Sequence, residues 1–200
     1  MTRTFLFDIG NVLLHFDFTQ AAHRLAAMSD VSAAEVLARL SPFKNAIESG
    51  AMNDDDFVTQ STALIGYRGT REEFIETWSD IFSENLPMTP LVHRLAQEHR
   101  LILFSNTSGL HKTWFMNRYE VFTYFKGGVF SHEVRCMKPD AAFYQTAISQ
   151  FALDPALTFY IDDLAENIAT GKRFGFACHH YNPARHEKLT GNVEQWLNGC

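Results

Sequence analysis

Four short segments of this 200-residue chain carry side chains that could do chemistry together, and each follows an apolar run. Phe5-Leu6-Phe7-Asp8-Ile9-Gly10-Asn11-Val12 delivers one carboxylate, Asp8, into a turn containing Gly10. A buried strand holds such a carboxylate rigidly at its C-terminal end, and glycine lets the backbone turn tightly and approach a ligand closely. That geometry suits a nucleophile, although an Asp after an apolar strand also serves as a turn residue or helix cap. Ser105-Asn106-Thr107 ends a second run, where a hydroxyl and backbone N–H groups can cradle a phosphate or simply cap a helix. Met137-Lys138-Pro139-Asp140 sets a Lys beside a helix-starting Pro, so that its ammonium either faces an anion or lies in solvent. Ile161-Asp162-Asp163 ends a further run, with Asn167 four residues after Asp163. Adjacent carboxylates repel unless a cation or hydrogen-bond donors are present, and a hard divalent ion with oxygen ligands is the direct remedy.

The elements that must position these groups alternate. Strands are expected at Thr4–Asp8, Leu101–Ser105, Gly128–Ser131, Leu157–Ile161 and Phe176–Tyr181. Helical spacing covers Thr89–His99, Ala141–Phe151, Asn167–Phe174 and Arg185–Leu197. This order predicts an α/β fold, a three-layer Rossmann-like parallel sheet with helical crossovers on both faces. Gly175 reads as a helix stop and Pro139 as a helix start. Between Phe18 and Asn85 the alternation breaks. Four amphipathic segments, Thr19–Met28, Ala33–Leu40, Asp54–Ile65 and Arg71–Phe82, occur there with no clear strand. Ser32 and Asn53 or Asp54 fit N-caps, and Gly50 and Gly66 fit stops. The expected organisation is a core of residues 1–17 and 86–200 and an inserted α-helical cap of 18–85, or else a helical extension of the core.

Composition narrows the classes. With 46% apolar and 20% charged residues the chain is ordinary for a globular protein. Its net charge is −6 and its 17 Lys and Arg are scattered, which is no nucleic-acid footprint. Cys136, Cys178 and Cys200 form no CxxC pair and read as reduced thiols. The N-terminal apolar stretch is short and interrupted by Asp8, unlike a secretory signal, and no run reaches the roughly 20 apolar residues of a membrane span. A cytoplasmic protein with no membrane or nucleic-acid partner is expected.

The order of an Asp, a Ser-Asn-Thr, a Lys-Pro and paired Asp residues, each at a strand end, resembles the haloacid dehalogenase-like (HAD) hydrolase superfamily over essentially the whole chain. The insert is similar to the small helical cap of its subfamily IA. Phe-Asp-Ile-Gly-Asn-Val-Leu with Ser-Asn-Thr is most similar to a bacterial subgroup that includes sugar-1-phosphate phosphatases such as those for glucose 1-phosphate. The resemblance implies a Mg²⁺-dependent phosphatase acting on a small phosphorylated metabolite, such as a hexose 1-phosphate; whether the chain is a monomer or homodimer is left open by the sequence. In that scheme Asp8 attacks phosphorus and forms an aspartyl-phosphate. Asp8, the Gly10 carbonyl and Asp163 hold the metal. Ser105, the Asn106 N–H and Lys138 neutralise the phosphoryl oxygens. Asp162 lies behind the metal or partners Lys138, and Asn167 braces the metal loop.

Two departures stand out. Most phosphatases of the superfamily carry a second Asp two residues after the nucleophile as general acid and base, and here that position is Gly10. Such an acid is typically worth ~10²–10⁴ in rate. A sugar 1-phosphate with its more acidic leaving hydroxyl needs it less, and His15, Asp17 or His111 are candidate substitutes. Arg135 stands where relatives often have Gly. Dehalogenases of the superfamily also lack the second Asp and work without metal, so a 2-haloacid dehalogenase is one alternative, although Asp162-Asp163 argues against it. A non-catalytic binder of a phosphorylated metabolite is another. Glu48, Trp78 and Phe82 are candidates for the cap's inner face, with core packing the plainer role for Trp78 and Phe82. His179-His180 could reach substrate or form a plain surface pair.

Overall fold

The computed structural model describes residues 2–199; Met1 and Cys200 lie outside the described residues, and with them the expectation for Cys200. Cys136 and Cys178 are free thiols.

The strands are β1 (Thr4–Phe7), β2 (Leu14–Phe16), β3 (Phe82–Glu84), β4 (Arg100–Ser105), β5 (Gly128–Phe130), β6 (Thr158–Asp162) and β7 (Ala177–His180). The helices in the first half are α1 (Thr19–Ala27), α2 (Ala33–Leu40), α3 (Lys44–Glu48), α4 (Asp54–Ile65) and α5 (Arg71–Ser79). The rest are α6 (Met88–Ala96), α7 (Gly109–Arg118), α8 (Ser131–Val134), α9 (Ala141–Phe151), α10 (Ala165–Arg173) and α11 (His186–Asn198).

Five strands form a parallel sheet in the order β5-β4-β1-β6-β7. Strand β1 lies at its centre, where a near-continuous apolar run is needed because both faces are covered. Side chains alternate across it. Phe5 and Phe7 pack on one face with α6, α7 and α11, through Leu91, Leu95, Phe115, Leu189 and Val193. Leu6 packs on the other with Phe104, Tyr160 and the α9 residues Phe143, Tyr144 and Ala147. The result is the expected three-layer α/β/α core. The Asp8 N–H donates to the Ile161 carbonyl at 3.0 Å, which carries the β1–β6 ladder one residue beyond β1. The ends of β1, β4 and β6 therefore open on one edge, the edge at which doubly wound sheets bind ligands.

Residues 19–79 hold helices α1–α5, which pack around their own cluster of Leu25, Val36, Leu40, Phe57, Ile65, Phe74 and Trp78. Local signals set these helices. Ser32 and Thr70 form reciprocal capping boxes with Glu35 and Glu73, and Asn53 caps α4. Gly66 ends α4 with φ of 64°.

Several expectations change. Arg71–Phe82 is not one helix: α5 stops at Ser79, and Phe82–Glu84 becomes β3, paired antiparallel with β2. That two-stranded ribbon ties together the outgoing and returning connections of the insert. The stretch 18–85 thus does contain a strand, which only pairing with a distant segment stabilises. Helices α3 and α7 come from stretches without a strong helical stripe. Pro139 precedes the N-cap Asp140 rather than occupying the first helical turn. Gly175 follows α10 with φ of 86°, as a helix stop should. Arg135 adopts a left-handed φ of 55°, a conformation that glycine takes without steric cost.

Candidate active site

Four loops at this sheet edge converge. Asp8 follows β1, Ser105 ends β4, Lys138 lies in the loop after α8, and Asp162 ends β6. Lys138 is the hub. Its Nζ lies 2.9 Å from Asp8 Oδ1 and 2.6 Å from Asp162 Oδ2, and it donates to the Phe104 carbonyl at 2.8 Å. All three N–H donors of the ammonium are thus engaged. Asn106 fixes the Lys138 backbone from both sides: its Oδ1 accepts from Lys138 N–H (2.8 Å) and its Nδ2 donates to the Lys138 carbonyl (2.9 Å).

The paired carboxylates have unequal surroundings. Asp162 is fully buried and accepts from Lys138, Tyr160 Oη (2.5 Å), Leu164 N–H (2.8 Å) and Asn167 Nδ2 (3.0 Å). Burial opposes its charge, but Lys138 and these donors hold its pKa below the usual carboxylate range. Its lone pairs are spent on protein, so it positions Lys138 rather than reaching a ligand. Asp163 faces the cleft and accepts one bond, from Asn11 Nδ2 at 3.0 Å. Burial raises its pKa, opposed by Asn11. Burial also pushes Asp8 up to about 7, against the pull of Lys138 and with the help of Asp162. Burial opposes the Lys138 charge too, but Asp162 and Asp8 hold its pKa above the normal lysine value.

Oxygen atoms of Asp8, Asp162 and Asp163 lie within 4.8 Å of one another. One ammonium faces three carboxylates, and the two turned toward the cleft resist ionisation. A hard divalent cation would supply the missing charge, and the all-oxygen donor set suits it. Asn167 bonds Asp162 rather than Asp163, so it braces the carboxylate behind the site.

Above these groups is a cleft of about 280 Å³. Its floor includes Asp8, Gly10, Ser105, Asn106, Lys138 and Asp163, while Phe16, Phe18, Lys44, Glu48 and Phe82 close it from the insert side. Glu48 and Phe82 line the cleft as expected of an inner face. Trp78 belongs to the helical cluster, packed 5.9 Å from the His111 ring. Of the candidate acids, His15 pairs with Ser83 in the β2–β3 ribbon and does not line the cleft. Asp17 is exposed, and its carboxylate, held low in pKa by Thr19, caps the Thr19 N–H. His111 lines the cleft, but burial drives its pKa down to about 4 and its Nε2 lies 3.3 Å from the Trp78 carbonyl. Asp17 and His111 are thus unprotonated at neutral pH, and His15 lies outside the cleft lining. His179 and His180 line an adjoining hollow with Arg185 and Lys188, and His180 Nε2 bonds the Asp163 carbonyl at 2.8 Å.

Sequence reasoning missed Asn11, Lys44 and Tyr160. Asn11 carried a signal: it sits after Gly10 in a turn, with φ of 54°, a region in which Asn is enriched. Tyr160 and Lys44 carried none, because apolar-strand and surface-helix positions give no hint of a polar partner.

A doubly wound sheet with an acidic, lysine-centred site at its C-terminal edge and a helical insert over it defines a class of hydrolases. The chain belongs to the haloacid dehalogenase-like hydrolase family, whose model matches residues 2–175. It is 24% identical to a D-ribitol-5-phosphate phosphatase of Bacteroides thetaiotaomicron, over 88% of this chain and 90% of that protein. A HAD-family enzyme structure from the same organism superposes with a TM-score of 0.82 at 18% identity, covering 95% of this chain and 98% of that one. A HAD-like hydrolase from Porphyromonas gingivalis gives 0.81 at 22% identity, with 99% and 98% covered. The Bacteroides enzyme is also known as a complex with magnesium and inorganic phosphate. Among the described residues no helix is long and apolar enough to cross a membrane.

Proposed function

We propose that this hydrolase is a Mg²⁺-dependent phosphatase that cleaves a small phosphorylated sugar or polyol, such as a hexose 1-phosphate. The observation that carries the reading is the division of labour between Asp8, Asp162 and Asp163. One carboxylate is consumed in orienting Lys138, and two are left facing a cleft with too little positive charge. The related ribitol-phosphate phosphatase and the magnesium and phosphate complex of the similar fold support the same reading.

In this reading residues 18–85 are the cap that closes the site, and the chain provides the following parts. Asp8 is the nucleophile: its carboxylate oxygen attacks phosphorus in line, the bond to the leaving oxygen breaks, and an aspartyl-phosphate forms on Asp8. Lys138 fixes the rotation of the Asp8 carboxylate and keeps positive charge beside it. Ser105 and the Asn106 backbone line the wall on which the equatorial phosphoryl oxygens would rest, where fixed dipoles need no reorganisation as charge spreads. Asp8, the Gly10 carbonyl and Asp163 would hold Mg²⁺, which when bound supplies Lewis-acid charge to the phosphoryl group. Asn11 and Asn167 hold Asp163 and Asp162 in their orientations. Water then attacks phosphorus and frees Asp8. Phe16, Phe18 and Phe82 give the cleft apolar walls, and its size limits the substrate to a small molecule.

The test is release of inorganic phosphate from hexose 1-phosphates, hexose 6-phosphates and ribitol 5-phosphate, with Mg²⁺ and with EDTA. Metal-dependent release that Asp8→Asn abolishes is expected. No release from the whole panel would refute the reading, and metal-independent chloride release from 2-chloropropionate would replace it with a dehalogenase.

A further inference from the structure

We propose that Glu48, carried into the cleft by α3, is the general acid and base that Gly10 does not provide. The proposal rests on the phosphatase reading and names the residue that completes its chemistry.

Six side chains with ionisable groups line the cleft: Asp8, Lys44, Glu48, His111, Lys138 and Asp163. Asp8 is the nucleophile, and Lys138 has all its donors engaged within the floor. Asp163 also belongs to the floor, held by Asn11, among the residues that would hold the metal. His111 is unprotonated, and Lys44 is an exposed cation one turn before Glu48. Among these six, Glu48 is the carboxyl contributed by the insert rather than by the sheet-edge loops, and a leaving group displaced in line by Asp8 departs away from those loops.

A catalytic group carried on an inserted unit must be held in register with the nucleophile. Here the backbone at Glu48 is stitched to the core. Its carbonyl accepts from Ser131 Oγ, and that oxygen accepts from the Thr107 N–H at 2.9 Å. The same relay therefore joins Glu48 to the loop that carries Ser105 and Asn106. Two residues on, Gly50 adopts φ of 70° and passes so close to the core that a Cβ would lie 2.3 Å from the His132 carbonyl oxygen. Only glycine allows that approach. On the other side of the helix, Ile47 is buried in the cap cluster. Half-burial of Glu48 raises its pKa, with the Lys44 charge pulling the other way, and upward is the direction a general acid needs.

The step balances. As the bond from phosphorus to the leaving oxygen breaks and the bond to Asp8 forms, the Glu48 carboxyl gives its proton to that oxygen and the alcohol departs. Glu48 carboxylate then takes a proton from the water that attacks the aspartyl-phosphate, which returns Asp8 free and Glu48 protonated. Ester and water become alcohol and phosphate.

The experiment compares wild type and Glu48→Gln on p-nitrophenyl phosphate, whose leaving group needs no proton, and on a primary alkyl phosphate such as a hexose 6-phosphate, whose leaving group does. If Glu48 is the acid, kcat/KM for the alkyl substrate falls roughly 10²-fold or more, while that for the aryl substrate changes by less than about threefold. If it is also the base, Glu48→Gln releases p-nitrophenol in a burst stoichiometric with enzyme, because the aspartyl-phosphate accumulates. Equal loss of kcat/KM on both substrates, or no loss on either, overturns the assignment. Wild type that releases phosphate from neither substrate overturns the phosphatase reading itself, a distinguishable result.

Discussion

Replacing Lys138 by Met should destabilise the protein far more than removing a surface charge. The ammonium is buried, its side chain 2% exposed, and it lies 2.9 Å from Asp8 and 2.6 Å from Asp162. An exposed ion pair is worth about 0–1 kcal/mol. Breaking a buried one leaves a charge with no counter-ion and costs about 3–5 kcal/mol. Met fills most of the lysine stem's volume, so the loss is mainly electrostatic. At about 2–4 °C per kcal/mol for a chain of this size, the melting temperature should fall by about 6–20 °C. Asp8→Asn supplies the control. Lys138 is the partner that anchors Asp8, so the Asn variant removes one of the two stranded charges and disturbs little else. The double variant should recover at least about 1 kcal/mol relative to Lys138→Met alone, a coupling expected of groups in contact. Urea unfolding followed by tryptophan fluorescence, in EDTA, measures all four corners of the cycle. A loss below about 1 kcal/mol for Lys138→Met, or a cycle without coupling, would refute the view of Lys138 as the hub.

Four further outcomes are expected. His111, with its pKa lowered to about 4 from 6.5, takes up its proton more readily when unfolded, so its stability contribution is complete above pH 6.5 and is lost as pH falls toward 4. The gap corresponds to about 3 kcal/mol, and His111→Gln should flatten that part of the melting-temperature profile between pH 7 and pH 4. Asn85 donates to the Val12 carbonyl at 2.6 Å and to Tyr181 Oη at 2.9 Å, so Asn85→Ala should cost about 1–3 kcal/mol in urea unfolding by orphaning buried groups. Gly50→Ala should lower the melting temperature and the turnover of alkyl phosphates together, since a Cβ there forces α3 off its core contact; a variant with wild-type values in both assays contradicts the stitching of Glu48. Millimolar Mg²⁺ should raise the melting temperature of wild type and leave Asp163→Asn nearly unmoved, as ligand binding to the native state requires.

The sequence alone determined the parallel α/β core and the order of its loops. Alternating apolar strands and helical stripes leave one economical arrangement, and an Asp, a Ser-Asn-Thr, a Lys-Pro and an Asp-Asp in the connections that follow successive strands must then meet at one edge. The Lys-Pro does so from beyond the short helix α8 rather than from the end of β5. The insert's helices were legible for the same reason, through Ser32, Asn53, Thr70 and Gly66, whose capping and stop signals are local. What the sequence did not carry depends on distant partners. Phe82 closes the helical pattern that starts at Arg71, and it turns into a strand with Ser83 and Glu84 only because β2 is there to pair with. Asp162 and Asp163 are chemically identical neighbours, and only the surrounding fold assigns four donors to one and the cleft to the other. His111 has the right chemistry for an acid, and burial against Trp78 removes it. Local chemistry is written in single segments, whereas burial, charge balance and the direction of a side chain are properties of whatever packs around it, and those the tertiary structure decided.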